Sequence, residues 1–202
     1  MDSERSEKSK KNENIKISPK DSFIPLTLLR KIVVESNIKI KTIEEYDSEL
    51  ILKTYHGKGF IKFKNGSEYE GKVKYGIMQS SPKTKSIMKF KNGTIYTGEM
   101  TDNKITGEGQ YTFSEGSIYN GKVLNGLRHG FGIYEHKDEN IKYEGDWSNG
   151  LKHGKGKLVI QDMVYEGNFH EGSKHNLGKL KWNQTGNYYE GYFKENYIHG
   201  NG

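Results

Sequence analysis

Four histidines recur along this chain at steps of 24, 22 and 24 residues: His129, His153, His175 and His199. Regular histidines suggest metal ligation, and zinc needs its ligands about 2.0–2.1 Å from one centre. If each histidine holds the same place in successive hairpins, neighbours stand roughly 9–10 Å apart, two strand spacings. That is too far to share an ion without other ligands. The chain has no cysteine, which excludes thiolate metal sites, disulfides and thiol nucleophiles. Glu70, Glu144, Glu166 and Glu190 form a second column, and paired carboxylates can do general acid–base work. Each lies between a Tyr and a Gly, so it is expected on a solvated face with nothing to desolvate it. The recurrent Gly-x-Gly pairs lack a third glycine three residues on, and they lead into strands instead of helix N-termini, so they are not phosphate cradles. Neither Gly-x-Ser-x-Gly nor His-Glu-x-x-His occurs. No catalytic, cofactor-binding or metal-binding residue is assigned, and an enzyme is not expected.

Two residue classes point to binding. Lys62 and Lys64 flank Phe63, Lys72 and Lys74 flank Val73, and Lys89 and Lys91 flank Phe90. Period-two alternation puts these six ammonium groups on one face, opposite the aromatic residues. Such a patch would attract acidic lipid headgroups, at about 1 kcal/mol per Lys near an anionic surface, or an acidic protein tail. Basic residues are almost all Lys, with Arg only at 5, 30 and 128. Sequence-specific reading of nucleic acid favours Arg, so nucleic acid is not an expected partner. The second class is aromatic: Tyr96, Tyr119, Tyr143, Trp147, Tyr165, Phe169, Trp182, Tyr189 and Phe193. A large aromatic patch on one face of a thin sheet is expected to meet another protein or a second copy of the chain.

These residues are positioned by a repeat. Tyr-x-Gly-x-apolar recurs at Tyr69, Tyr96, Tyr119, Tyr143, Tyr165 and Tyr189, and two glycines follow eleven and thirteen residues after most of them. The same ruler projects from Gly57 and Gly59 back to Tyr46, with Ser48 in the place of Gly. In the unit that begins at Tyr165, Asn176 replaces the first of the later glycines. The unit at Tyr69 lacks the second block, and 74–88 reads as an insert. Asn-Gly or Glu-Gly pairs punctuate the units at 65–66, 92–93, 115–116, 125–126, 149–150 and 171–172, and Asn-Gly between alternating segments is a strong hairpin signal. The fold expected is all-β: an elongated single-layer antiparallel β-meander of about seven hairpins, some 14 strands. In it, glycines make room for neighbouring rings to lie on the backbone.

The segment from Tyr143 to Gly156, Tyr-Glu-Gly-Asp-Trp-Ser-Asn-Gly-Leu-Lys-His-Gly-Lys-Gly, resembles the MORN (membrane occupation and recognition nexus) repeat family at every defined position. The resemblance covers about 46–202. It implies a β-ribbon scaffold of the kind found at membrane–cytoskeleton junctions, in ciliary radial spokes and in cell-division complexes. It therefore implies partners among cytoskeletal or axonemal subunits, and a cilium or cytoskeletal setting. Other members carry these repeats beside a lipid kinase or methyltransferase domain, and neither domain is recognisable in this chain.

Bulk numbers set the rest. The chain has 202 residues, 25 of them glycine, a net charge of +6 and a mean hydropathy of −0.91. Glycine at this density does not suit a helical bundle. No apolar run approaches the ~20 residues of a membrane-spanning helix. Residues 1–21 read as a charged, disordered tail without a secretory apolar centre, so the cytoplasm is the compartment expected. Segment 22–45 is expected to give a short helix over 22–35, from Ser22, Pro25 and the spacing of Leu26, Leu29, Ile32 and Val33, followed by a degenerate edge strand. Residues 46–202 form the repeat ribbon. His199-Gly200-Asn201-Gly202 reads as half of a further strand, which implies either a longer repeat protein or an open edge. The function expected is a non-catalytic scaffold for protein assembly. The alternatives are a peripheral membrane tether through the lysine face, or the accessory repeats of a larger enzyme.

Overall fold

The structure is a computed structural model that describes residues 29–36, 39–43, 56–63, 65–75 and 77–202. It begins with β1 (Leu29–Ser36), β2 (Lys39–Ile43), β3 (His56–Phe63) and β4 (Glu68–Lys74). Two short strands follow, β5 (Ile77–Met78) and β6 (Ser86–Lys89). The regular part runs through β7 (Ile95–Thr101), β8 (Lys104–Thr112), β9 (Ile118–Leu124), β10 (Leu127–His136) and β11 (Ile141–Ser148). It continues through β12 (Leu151–Ile160), β13 (Met163–His170), β14 (Ser173–Trp182), β15 (Tyr188–Lys194) and β16 (Tyr197–Ile198). All sixteen belong to one open antiparallel sheet. From β6 to β16 spatial order follows chain order, while β1 lies between β2 and β3, and β5 pairs beside β4.

Two kinds of turn produce the meander. At Asn125-Gly126, Asn149-Gly150 and Glu171-Gly172 both residues have positive φ, 50° and 83°, 49° and 83°, 48° and 86°. That is the two-residue type I′ geometry, whose twist matches the flanking strands. The turn glycines also join one hairpin to the one before it. Gly126 N–H donates to Ile105 O at 2.8 Å, Gly150 to Arg128 O at 2.9 Å and Gly172 to Lys152 O at 2.8 Å. At the other end of the strands, Gly66, Gly93 and Gly116 close wider loops. In the first of these, Phe63 N–H donates to Ser67 O (2.8 Å) and Gly66 N–H to Phe63 O (2.9 Å), and the pattern repeats at Phe90 and Phe113.

A row of glycines crosses the sheet. Gly98, Gly109, Gly121, Gly132, Gly145, Gly156, Gly167, Gly178 and Gly191 stand directly opposite one another, strand after strand. On this row lie the tyrosine rings. A Cβ on Gly156 would sit 2.5–2.7 Å from the Tyr143 ring and hydroxyl, and one on Gly109 2.4–2.5 Å from those of Tyr96. Each hydroxyl donates to the carbonyl three residues on: Tyr96 to Glu99 (2.9 Å), Tyr119 to Lys122 (2.6 Å), Tyr143 to Asp146 (2.8 Å) and Tyr165 to Asn168 (2.9 Å). Tyr69, Tyr96, Tyr119, Tyr143 and Tyr165 are thereby almost wholly buried in a single layer.

The first glycine of each Gly-x-Gly pair answers a different need. It lies where the strand bulges, between residues that pair with the apolar anchor and with the glycine row. There φ is positive, +58° at Gly154 and +60° at Gly130. Asn176 takes the same place at +54°, and Asn is among the few non-glycine residues that adopt this conformation readily.

Two expectations change. Residues 29–35, the second half of the segment read as a helix, belong to β1 (Leu29–Ser36), which pairs with β3. Ile32, Val33 and Val34 are consecutive and β-branched, which favours a strand. Residues 22–28, the tail 1–21 and the anchor Tyr46 lie outside the described residues. Over 46–202 the described residues give fourteen strands, β3 to β16, the number expected of the repeats, and β1 and β2 add two more to the sheet. Within 74–88 it also narrows without breaking: β6 keeps Glu70 opposite Ile87 and Ser86 opposite Gly98. Ser86 stands in the glycine row there, its Oγ 2.9 Å from the Tyr69 hydroxyl. Ser80 completes the ladder beside β7, donating N–H to Met100 O (2.8 Å) and accepting from Met100 N–H (2.6 Å).

Candidate functional site

Strand alternation gives the sheet two unlike faces. On one, the apolar residue four places after each Tyr interleaves with the tyrosines. Trp147 meets Tyr119 and Tyr143 edge-on at 5.4 and 5.0 Å between centroids. Phe169 meets Tyr143 and Tyr165 at 5.1 and 5.2 Å, and Phe193 meets Tyr165 and Tyr189 at 5.0 and 5.3 Å. Seven rings thus form a continuous zipper in the edge-to-face geometry that aromatic quadrupoles prefer. Of the nine aromatic residues expected to contact a partner, Tyr96, Tyr119, Tyr143, Trp147, Tyr165, Phe169 and Phe193 are buried by one another and by the glycine row, while Trp182 and Tyr189 are half-buried.

Cations lie over this zipper. The Arg128 guanidinium is 4.2 Å from the Trp147 ring and 5.7 Å from Tyr134. Lys152 Nζ is 5.8 Å from Tyr143 and 5.7 Å from Phe169, and Lys174 Nζ is 5.4 Å from Tyr165. Burial holds all three below their usual pKa, and Lys152 is further lowered by Arg128 and Lys174. Arg128 Nη2 donates to Gly150 O at 2.8 Å. Sequence reasoning missed these three. The legible signal was a basic residue directly before His129, His153 and His175.

At the β7–β8 end the cation position is taken by Ile105. An open groove of about 810 Å³ begins there, lined by Met88, Phe90, Met100, Ile105, Tyr111 and Phe113 with a few polar turn residues.

The other face carries the carboxylates and most of the lysines, along with exposed apolar side chains at Phe131, Leu177, Tyr188 and Tyr192. Glu144, Lys157, Glu166, Lys179 and Glu190 stand opposite one another on consecutive strands. Lys157 pairs with Glu166, and Lys179 with Glu190 at 2.8 Å. The glutamate column is therefore exposed, interleaved with lysines at Glu144, Glu166 and Glu190, while Glu70 stands between Phe60 and Ile87. His153, His170 and His175 follow one another at 5.4 and 5.6 Å between ring centroids. Among the described residues no group of three or more His, Asp or Glu is placed to hold a metal ion.

Lys62, Lys72, Lys74, Lys89 and Lys91 are exposed, and Lys64 lies outside the described residues. Lys62 pairs with Glu68 at 3.0 Å, and Glu68 stands between Lys62 and Lys89 on adjacent strands. Lys72 faces Lys58. The lysine cluster is thus crossed by an acid and is less positive than its sequence alone indicates.

Comparison with known proteins agrees with this geometry. A family model described as MORN repeat matches residues 46–68, 96–118, 119–141, 143–162, 165–184 and 189–202. A protein of Xenopus laevis described as "MORN repeat-containing protein 3" is 47% identical over 47 residues, 23% of this chain and 20% of that relative. The match therefore spans about a fifth of the relative's length.

Proposed function

The chain belongs to the MORN repeat family, whose repeats are protein- and membrane-interaction modules, and from this premise we propose that it is a non-catalytic scaffold that assembles other proteins. One observation carries the reading: the sheet is a single open layer, and both broad faces are uncovered among the described residues. Fifteen strands lie on its path, which at roughly 4.8 Å per step gives a length of about 67 Å. Strands mostly of seven to ten residues make each face roughly 25–30 Å wide at about 3.4 Å per residue. The area, roughly 1,700–2,000 Å² a face, exceeds the ~800 Å² that a standard interface takes from each partner. The setting that fits the family is a cytoskeletal or ciliary complex. Crosslinking followed by mass spectrometry in native extract tests this: recurrent crosslinks from strand lysines to the same neighbouring proteins are expected. A chain crosslinked only to itself would overturn it.

A membrane-tether reading rests on the exposed Lys62, Lys72, Lys74, Lys89 and Lys91. Liposome flotation with and without anionic lipid, at two salt concentrations, decides it. Absence of binding at low salt sinks the tether and leaves the scaffold standing.

A further inference from the structure

The two faces differ in the sign and placement of their charges. Between β9 and β15 the strand positions on the aromatic face contain no Asp and no Glu, and the Lys and Arg among them are Arg128, Lys152 and Lys174. The carboxylates of these strands, Glu135, Glu144, Asp146, Glu166 and Glu190, all occupy positions of the opposite face. None of the three cations has a described carboxylate within ion-pair distance. They lie half-buried over rings, and an anion arriving from outside would relieve their mutual repulsion.

Their spacing selects the shape of that anion. Arg128, Lys152 and Lys174 occupy one position in successive hairpins, opposite Val123, Trp147 and Phe169. They therefore step across the sheet by two strand spacings, about 9.6 Å. In an extended chain, same-side residues recur at about 6.8 and 13.6 Å, and neither matches. An α-helix returns to the same face every seven residues, about 10.5 Å. Ile105 and Ile198 hold the equivalent position at the two ends of the row, opposite Met100 and Phe193. The apolar groove opens beside Ile105.

We propose that this face docks an acidic amphipathic helix of a partner protein, lying across the strands with a carboxylate every seventh residue over Arg128, Lys152 and Lys174 and an apolar side chain in the groove at Ile105. The inference rests on the scaffold reading and names the chemistry of what the scaffold holds. The described residues of this chain contain no helix, and the three-fold charge complementarity is what argues for an acidic helix as the occupant. An anionic membrane would engage the exposed lysines of the opposite face in preference to cations set among rings.

The probe is a fluorescein-labelled peptide of about four heptads, Leu- and Ala-rich, with Glu every seventh residue, beside a twin carrying Gln at those places. Fluorescence anisotropy with the full chain is expected to show the Glu peptide binding at least about tenfold more tightly at about 50 mM salt, with the preference shrinking by about 300 mM. Lys152→Met with Lys174→Met keeps the aliphatic cover of the rings, should leave the melting temperature in place, and should abolish the preference. Lys72→Met, on the opposite face, should preserve it. Equal affinity for the two peptides overturns the proposal, and so does a preference unchanged in the double variant. Should the Met variants fold poorly, salt-insensitive binding by the unsubstituted chain overturns it alone. Flotation on phosphatidylserine vesicles that depends on Lys152, without peptide binding, also overturns it in favour of a membrane. If the peptide fails while native crosslinks to other proteins persist, this inference falls and the scaffold reading survives. Loss of both removes the two together.

Discussion

Gly154 and Gly156 stand two residues apart in one motif and answer to different constraints. Gly154 needs positive φ, whereas Gly156 needs an empty space under the Tyr143 ring. Gly156→Ala should therefore cost about 3 kcal/mol or more, because the added methyl meets the Tyr143 ring and hydroxyl and the ring has nowhere to go. Gly154→Asn should cost under about 1 kcal/mol, as Asn176 already serves at the same position. Urea unfolding midpoints of the two variants check the contrast, and equal losses would refute it. The tyrosine hydroxyls carry a second expectation. Burial pushes Tyr69, Tyr111, Tyr119 and Tyr165 from 10.0 up to about 12, and Tyr96 and Tyr143 higher still. The unfolded chain loses these protons near pH 10 while the folded chain keeps them. This contribution to stability is thus present below about pH 10 and lost as pH rises towards 12. Unfolding midpoints measured across that window should fall steadily, and buried tyrosinate absorbance should appear only late in it. Midpoints that stay level through the window would contradict the burial of these phenols.

At the scale of the hairpin, turn chemistry was the most legible part of the chain. Asn125-Gly126 and Asn149-Gly150 announced two-residue hairpins, and the φ values agree. Glu171-Gly172 adopts the same turn with a residue poorly suited to it, since Glu171 sits at φ +48°. Glu171→Asn should raise stability by about 0.5–1 kcal/mol, visible as a higher melting temperature. A lower one would show that Glu171 holds the turn in another way. The unit at Tyr69 shows the limit of motif reading. The family model does not match it, because its second block is replaced, yet Tyr69 is fully buried and its hydroxyl donates to Lys72 O at 2.7 Å like the others. What composition could not reveal was that Ser80 and Ser86 would supply the missing hydrogen bonds and the small side chain. Nor could it reveal the cation row. Period two counted back from Gly132, Gly156 and Gly178 does reach Arg128, Lys152 and Lys174, but only the register shows that each stands opposite an apolar anchor, on the face of the rings. Within the helix expected over 22–35, residues 29–35 belong to β1: helical spacing was read where three consecutive β-branched residues, Ile32, Val33 and Val34, extend and pair along β3.

At the scale of the whole molecule, strands touch mainly their immediate neighbours, so stability is nearly a sum of hairpins and the seams between them. Damage should stay local. Hydrogen exchange followed by mass spectrometry should show Gly156→Ala opening β11 to β13 while β3 and β4 keep their protection. Uniform loss along the chain would show a cooperative block instead. In the unsubstituted chain, protection should peak from β9 to β14 and fall at β5, β6 and β16, the shortest strands. The glycine row has a further consequence for how such a chain can lengthen. Spacing between tyrosine anchors drifts from 22 to 27 residues, but the crossing of glycine with glycine stays fixed on every regular strand. Duplicating or deleting one hairpin in the gene would therefore leave each remaining strand with a neighbour that already fits. The ribbon can grow by copying, one hairpin at a time, without remaking the seams it already has.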